Sequence, residues 1–239
     1  MITSADNQRL RLVRGLAARR RREREGLFAA EGEDLVAAAL DAGLEPVFAL
    51  VDAERPALEE RLPRAEPVEP RLLAEASSLG HHARVLAVFR RAELPRAGRG
   101  VTVALWRVGD PGNVGTLLRA ADAFDAGVAL SAGCADPTGP KALRASAGAL
   151  FRVPVVRFDE PPAPRIALVA RGGTPLPELE LGGRVTFVLG AEREGLPEDV
   201  LAGCDALATI PQPGDAESLN VAMAGTVALY ELSRRSAAR

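Results

Sequence analysis

Six short runs dominated by apolar residues constrain this chain more than any other feature. They lie at residues 101–106 (Val-Thr-Val-Ala-Leu-Trp), 128–131, 153–158, 166–170, 185–189 and 206–210. A strand wetted on one face alternates polar and apolar side chains, whereas one buried on both faces reads as a nearly continuous apolar run. Helical patterns separate them at 112–124 and 218–234, with a short one at 197–201 that proline begins. Strands apolar on both faces that alternate with helices predict an α/β domain with a mostly parallel sheet, covered on both sides. Ligands of such sheets gather outside the carboxyl ends of the strands.

The first hundred residues read differently. Residues 6–25 are expected as one basic helix, ended by Gly26-Leu27-Phe28. A second helix is expected over 31–42, with Leu35, Val36, Ala39 and Leu40 on one side and Gly43 as its stop. Strands are expected at 47–51 and 84–90, and a weak helix at 71–79. The stretch Pro95-Arg96-Ala97-Gly98-Arg99-Gly100 is the best linker. This divides the chain into a small α/β domain, 1–96, and a larger one, 101–239. Within residues 1–25, eight arginines against Asp6, Glu23 and Glu25 give a local +5 on a chain of net charge −2. Such a segment contacts phosphates or forms a solvated helix face, and the charge alone leaves both open.

Composition removes several classes. At 239 residues, 47% hydrophobic and 26% charged, the chain can bury a core and is not disordered. Cys134, Cys204 and the adjacent His81 and His82 are too few for a four-ligand zinc site or a disulfide framework, so no metal is expected. No apolar run approaches the roughly 18 residues of a membrane span. The Arg-rich start lacks the apolar core of a signal peptide, so a cytoplasmic location is expected.

Three turns follow strands of the second domain. The first, from Gly109-Asp110-Pro111-Gly112-Asn113, enters a helix whose Val114, Leu117, Leu118, Ala121 and Phe124 share one face and whose Arg119 points nearly opposite. Arg119 is a solvated cation or a bidentate clamp for a phosphate, with Asn113 beside it. The glycines do not form G-x-G-x-x-G, and no G-x-x-x-x-G-K-[ST] is present, so a conventional nucleotide fold is disfavoured. The second turn, Leu189-Gly190-Ala191-Glu192-Arg193-Glu194-Gly195, has glycines that let backbone approach a flat ligand. Its Glu192 is an acid, a base or an exposed turn residue. The third runs Ile210-Pro211-Gln212-Pro213-Gly214-Asp215-Ala216-Glu217-Ser218-Leu219-Asn220. Ser218 reads as a helix N-cap, and Asn220, expected in the first helical turn, is placed to hydrogen bond a ligand. Gly225 inside that helix predicts a close helix approach, within the chain or at a subunit interface.

Together, in this order, the three turns resemble the signature of the SpoU/TrmH family, S-adenosylmethionine-dependent RNA 2′-O-ribose methyltransferases of the SPOUT superfamily. The segment 141–154 looks like a further family segment. Ile2-Thr3-Ser4, Asn7 and Phe28-Ala29-Ala30-Glu31-Gly32 are similar to the ribosomal-protein-like RNA-binding domain that precedes the catalytic one in many members. Two positions depart from the usual pattern: Ala191, where Asn or Ser is common, and Asp125, where Gly is.

The resemblance implies a deep trefoil knot in the second domain, a homodimer formed through it, and RNA, ribosomal or transfer, as partner. It implies S-adenosylmethionine bound by Leu189, Gly190, Ala191, Ile210, Pro211, Ser218 and Leu219. Catalytic positions map to Asn113, Arg119, Glu192, Ser218 and Asn220. RNA contacts fall on Arg119 and on Arg19, Arg20, Arg21 and Arg22 of the basic segment. A guanidinium stays protonated at ordinary pH, so Arg119 is expected to clamp phosphate and stabilise the developing oxyanion, with the proton passing to phosphate or water. A non-catalytic RNA-binding protein that kept the fold, and a SPOUT enzyme acting on a base nitrogen, are the competing readings.

Overall fold

Residue contacts divide the chain into two units, Met1–Leu94 with Asp136–Phe151, and Pro95–Ala135 with Arg152–Arg239. The computed structural model describes all residues except 63, 79–82, 162, 215–216 and 238–239. His81 and His82, the end of the helix expected over 71–79, and Asp215 and Ala216 of the third turn therefore lie outside the described residues.

The first unit begins with α1 (Gln8–Gly15) and α2 (Arg19–Glu25), then β1 (Leu27–Glu31), α3 (Glu33–Asp41), β2 (Phe48–Asp52), α4 (Pro56–Arg61), β3 (Ala65–Val68), α5 (Pro70–Ala76) and β4 (Val85–Arg90). Its sheet has the order β1-β4-β2-β3, with β4 antiparallel to both neighbours and β2 parallel to β3. The single basic helix expected over 6–25 is two helices, for identifiable reasons. Asn7 caps α1, its side chain accepting from the Arg9 amide at 2.9 Å. Leu16 is drawn into the core, and the Arg22 Nη1 donates to the carbonyls of Leu16 and Ala17, both at 2.8 Å. Leu16 is the C-cap of α1 and Ala17 the residue after it, so the guanidinium satisfies acceptors at and just beyond the helix end. Gly26, with φ +66°, closes α2 in the left-handed conformation. The strand β1 that follows has no polar–apolar alternation and was not expected.

The second unit opens with β5 (Val101–Leu105), α6 (Pro111–Ala123) and β6 (Gly127–Leu130). The chain then passes through α7 (Pro140–Ser146), which belongs to the first unit. It returns for β7 (Val155–Arg157), β8 (Arg165–Leu168), β9 (Thr174–Pro175), β10 (Val185–Leu189), α8 (Glu198–Ala202), β11 (Ala206–Thr209) and α9 (Val221–Ala237). The sheet is seven-stranded and parallel throughout, in the order β7-β6-β5-β10-β8-β11-β9. The two central strands, β5 and β10, pair from Val101↔Val185 to Leu105↔Leu189, so both end at the same level. One face is covered by α6 and α9, which also pack on each other. Val188, Ala104, Ala129 and Val156 form one row on adjacent strands, and Phe158, Leu196 and Val200 of α8 pack against that row. Gly225 of α9 makes the helix pairing possible, since a Cβ there would lie 2.5 Å from the Leu117 Cδ2. The close approach is thus within the chain.

Residues 136–151, which a single boundary near 95–100 assigns to the second domain, cluster with the first unit. Arg22 holds them there. Its Nε and Nη2 meet the Asp136 Oδ2 at 2.9 and 2.8 Å, and both side chains are 4% exposed. The Thr138 amide and hydroxyl donate to the other carboxylate oxygen at 3.0 and 2.7 Å. Burial pushes the Asp136 carboxyl up, yet the Thr138 hydroxyl, the charges of Arg91 and Arg22 and the Thr138 amide together hold it below its ordinary value. Phe151 adds an apolar anchor, its ring 6.2 Å from that of Phe28 and 6.4 Å from that of Phe89. Expected as an RNA contact, Arg22 is instead engaged on all three guanidinium nitrogens and withdrawn from solvent.

Removing one partner of such a pair strands a buried charge. Asp136→Asn is expected to lower the unfolding free energy by about 3–5 kcal/mol in denaturant titrations. The double change Arg22→Met with Asp136→Leu should recover most of that loss. Because the Asp136 pKa is lowered in the fold, its contribution is present above the unfolded value of about 3.9 and disappears as pH falls through the folded value. A single variant as stable as the parent at pH 7 would show that the pair is not an anchor.

Candidate active site

The ends of β5, β10 and β11 release three turns on one edge of the sheet, and one side chain joins them. Asp110 caps α6, with Pro111 at its first position, and the Asp110 Oδ1 accepts from the Asn113 amide at 2.9 Å. This fixes Asn113 in the first helical turn. The Asn113 Nδ2 donates to the Glu192 Oε1 at 2.8 Å, from the first turn to the second. Its Oδ1 accepts from the Asn220 Nδ2 at 3.1 Å, from the first turn to the third. The Asn220 Oδ1 in turn accepts from the amides of Ala222 and Met223 at 2.9 and 3.3 Å. An ionised carboxylate only accepts, so Glu192 dictates which way the Asn113 amide faces, and the backbone amides of α9 dictate the same for Asn220. The chain of hydrogen bonds therefore has one self-consistent direction.

Helix α9 begins at Val221, not at Ser218, and its cap is Asn220. Asparagine's side-chain oxygen reaches the second and third helical amides, so it takes the role expected of Ser218, which is exposed.

Beside this network lies a cavity of about 390 Å³. The second turn contributes Leu189, Gly190, Ala191 and Glu192, and the third Ile210, Ser218, Leu219 and Asn220. These are sequence-identified positions, and the structure brings them together. Pro211 is exposed and does not line the cavity, because Gln212 faces it from that turn instead. Leu168, Val169 and Ala170, at the end of β8, complete the wall. The apolar run at 166–170 marked that strand, but nothing in its residue types marked a binding role. Arg119 projects from α6 into solvent and makes no hydrogen bond or ion pair among the described residues.

The volume falls within the roughly 300–1,000 Å³ of small-molecule sites. The second turn is folded tightly on itself, with the Gly195 amide donating to the Ala191 carbonyl at 3.0 Å. A Cβ on Gly190 would sit 2.2 Å from the Gly195 carbonyl carbon, so only glycine fits there. The Gln212 Oε1 is buried and has no hydrogen-bond partner among the described residues. Apolar walls from Leu189, Ile210 and Leu219, polar turns at the rim and one unsatisfied amide oxygen suit a nucleoside-sized ligand that carries N–H donors.

Comparison with known proteins agrees with this geometry. The model of the SpoU rRNA Methylase family matches residues 100–230, and that of the MRM3-like substrate binding domain matches residues 7–90. An uncharacterized tRNA/rRNA methyltransferase of Synechocystis is 34% identical over 98% of this chain and 93% of its own length. The 23S rRNA (guanosine(2553)-2′-O)-methyltransferase RlmP of Bacillus subtilis is 30% identical over 97% of this chain and 98% of its own. Among solved structures, the SpoU methyltransferase AviRb from Streptomyces viridochromogenes, in complex with the cofactor AdoMet, superposes with a TM-score of 0.86 at 26% identity, covering 97% of this chain and 98% of that one. The chain belongs to the SpoU rRNA methylase family.

Gly190→Ala tests the cavity's dependence on its tight turn. Forcing a Cβ against backbone is expected to cost about 1–3 kcal/mol of stability. It should also weaken S-adenosylmethionine binding at least ~10-fold by titration calorimetry, since the displaced turn is the cavity wall. Parental affinity in this variant would separate the turn from the ligand site.

Proposed function

We infer that this chain transfers a methyl group from S-adenosylmethionine to a ribose 2′-hydroxyl of RNA. The observation that carries the reading is the Asn220–Asn113–Glu192 chain of hydrogen bonds, which ties three strand-end turns around one cavity. Leu189, Gly190, Ala191, Ile210, Ser218 and Leu219 would hold the cofactor, with the Gln212 Oε1 free to accept from one of its amino groups. When bound, S-adenosylmethionine supplies an electrophilic methyl group. The full-length likeness to RlmP favours ribosomal over transfer RNA.

The residues of the chain have distinct tasks in this reaction. Asn113 and Asn220 keep the turns in register, so that positioning lowers the barrier. Glu192 spends a carboxylate oxygen on Asn113, which makes it an orienting group for the network. Arg119, without a partner among the described residues, is available to an incoming phosphate and to the oxygen that develops charge as the hydroxyl proton leaves. The guanidinium keeps its protons, so the departing proton passes to phosphate or water.

The same reading extends to assembly. Met223, Val227 and Tyr230 recur at helical spacing on α9 and are 59%, 39% and 56% exposed. This stripe suits a second copy of the chain, and we propose a homodimer through the catalytic domain. In the N-terminal substrate-binding domain, Arg19 pairs with Glu23 and Arg21 with Glu25, while Arg20 has no partner among the described residues. RNA contact is therefore proposed for Arg19, Arg20 and Arg21, with Arg20 foremost and Arg22 excluded. The turns after β10 and β11 are those through which the trefoil knot of the family would pass, and a cytoplasmic location accompanies the RNA substrate. Among the described residues, no helix is long and apolar enough to cross a membrane.

Arg119→Ala is expected to lower the single-turnover rate of methyl transfer about 10²–10³-fold with cofactor affinity unchanged, and Arg119→Lys to recover part of the loss. The measurement is transfer of isotopically labelled methyl to ribosomal RNA under saturating enzyme. Undiminished turnover in the alanine variant would remove Arg119 from the chemistry.

A further inference from the structure

A second hollow, of about 490 Å³, adjoins the cofactor cavity and shares Ala191, Glu192 and Arg193 with it. We propose that this hollow receives the RNA strand next to the methylated nucleotide, and that Arg107 is the positioning residue that binds a phosphate there. The proposal rests on the ribose-methylation reading and names how the substrate is held.

Arg107 follows β5 with φ +52°, a left-handed conformation that non-glycine residues adopt at a cost. The surroundings enforce it. The Arg107 amide donates to the Ser131 Oγ at 2.9 Å, which ties the turn after β5 to the turn after β6. The side chain lies across Gly133, where a Cβ would come within 3.3 Å of the Arg107 Cγ and 3.5 Å of its Nε. An arginine is thus held in a strained backbone, and a glycine makes room for its side chain. The guanidinium so placed is exposed and has no hydrogen bond or ion pair among the described residues.

The carboxylates around the hollow do not account for it. Asp110 caps α6 through the Asn113 amide, and Glu192 accepts from the Asn113 side chain. Arg193 is a second exposed guanidinium without a partner among the described residues, and Glu194 is the remaining acid on the wall. Two uncommitted guanidinium forks at an open hollow match the geometry of phosphate oxygens, which accept two parallel N–H bonds. Because the hollow and the cofactor cavity share the 191–193 segment, a phosphate fixed by Arg107 sets which sugar along the strand faces the cofactor. Arg119 lies on α6 and does not line this hollow, whereas Arg107 sits before that helix begins and does.

Arg107→Gly isolates the guanidinium, because glycine accepts the positive φ without strain. The probe is protein-free 23S ribosomal RNA in filter binding across a salt series, with methyl-transfer kinetics and cofactor calorimetry alongside. Arg107→Gly is expected to melt at or above the parental temperature and to bind S-adenosylmethionine as the parent does. Its RNA Kd should rise about 10-fold, and the slope of log K against log salt should flatten by about 1. KM for RNA should rise by more than kcat falls. Arg107→Lys should restore the slope, and affinity only in part. A parental slope and KM in Arg107→Gly would overturn the proposal while leaving ribose methylation intact. Absence of methyl transfer in the parent would overturn the functional reading, and the slope difference would still report on Arg107.

Discussion

The arrangement of the catalytic unit depends on one asparagine that satisfies partners on two sides at once. Asn113 donates to Glu192 and accepts from Asn220, and its own backbone amide is fixed by Asp110. Three strand ends far apart in sequence are thereby held at one point on the sheet edge. A parallel sheet brings the ends of β5 and β10 level, but register alone does not determine how the turns beyond them fold. The hydrogen-bond chain supplies that constraint, and it continues into α9 through the cap at Asn220. The wall of the cavity and the start of α9 therefore share one set of bonds.

A different device secures the first unit. The Arg22–Asp136 pair takes two charges out of water, which is tolerable only because Thr138 and the carbonyls of Leu16 and Ala17 satisfy the remaining donors and acceptors. The pair also explains why a run of four consecutive arginines is not uniformly solvent-facing. The second of two short helices turns one of the four inward, while Glu23 and Glu25 draw on Arg19 and Arg21.

Much of the catalytic unit was legible in the sequence because its strands are apolar on both faces and its turns carry chemically distinctive residues. The faces of α6 followed largely from helical period, with Val114, Leu117, Leu118 and Ala121 buried and Arg119 outside, while Phe124, expected on the same face, is the half-buried C-cap. The positions of Gly190, Glu192 and Asn220 came from the motifs. What escaped has physical reasons. Gln212 replaces Pro211 on the cavity wall because the path of a Pro/Gly-rich turn is set by contacts remote in sequence. Asn220 rather than Ser218 caps α9, although both residue types cap well, and local propensity could not choose between them. The break between α1 and α2 was invisible because it depends on Leu16 reaching the core and on Arg22 meeting Asp136, 114 residues away. The return of 136–151 to the first unit depends on the same pair. Arg107 carries no sequence signal, since its interest lies in a backbone angle and in a guanidinium without a partner among the described residues, neither of which a sequence displays.

The convergence of three turns on Asn113 is tested most directly by a crystal structure of the chain grown with S-adenosylmethionine. The account predicts density for the cofactor in the cavity bounded by Leu189–Glu192, Ile210 and Ser218–Asn220, with the Asn113 bonds to Glu192 and Asn220 intact beside it. Cofactor bound elsewhere on the chain, or those turns separated with Asn113 bonded to neither partner, would contradict it.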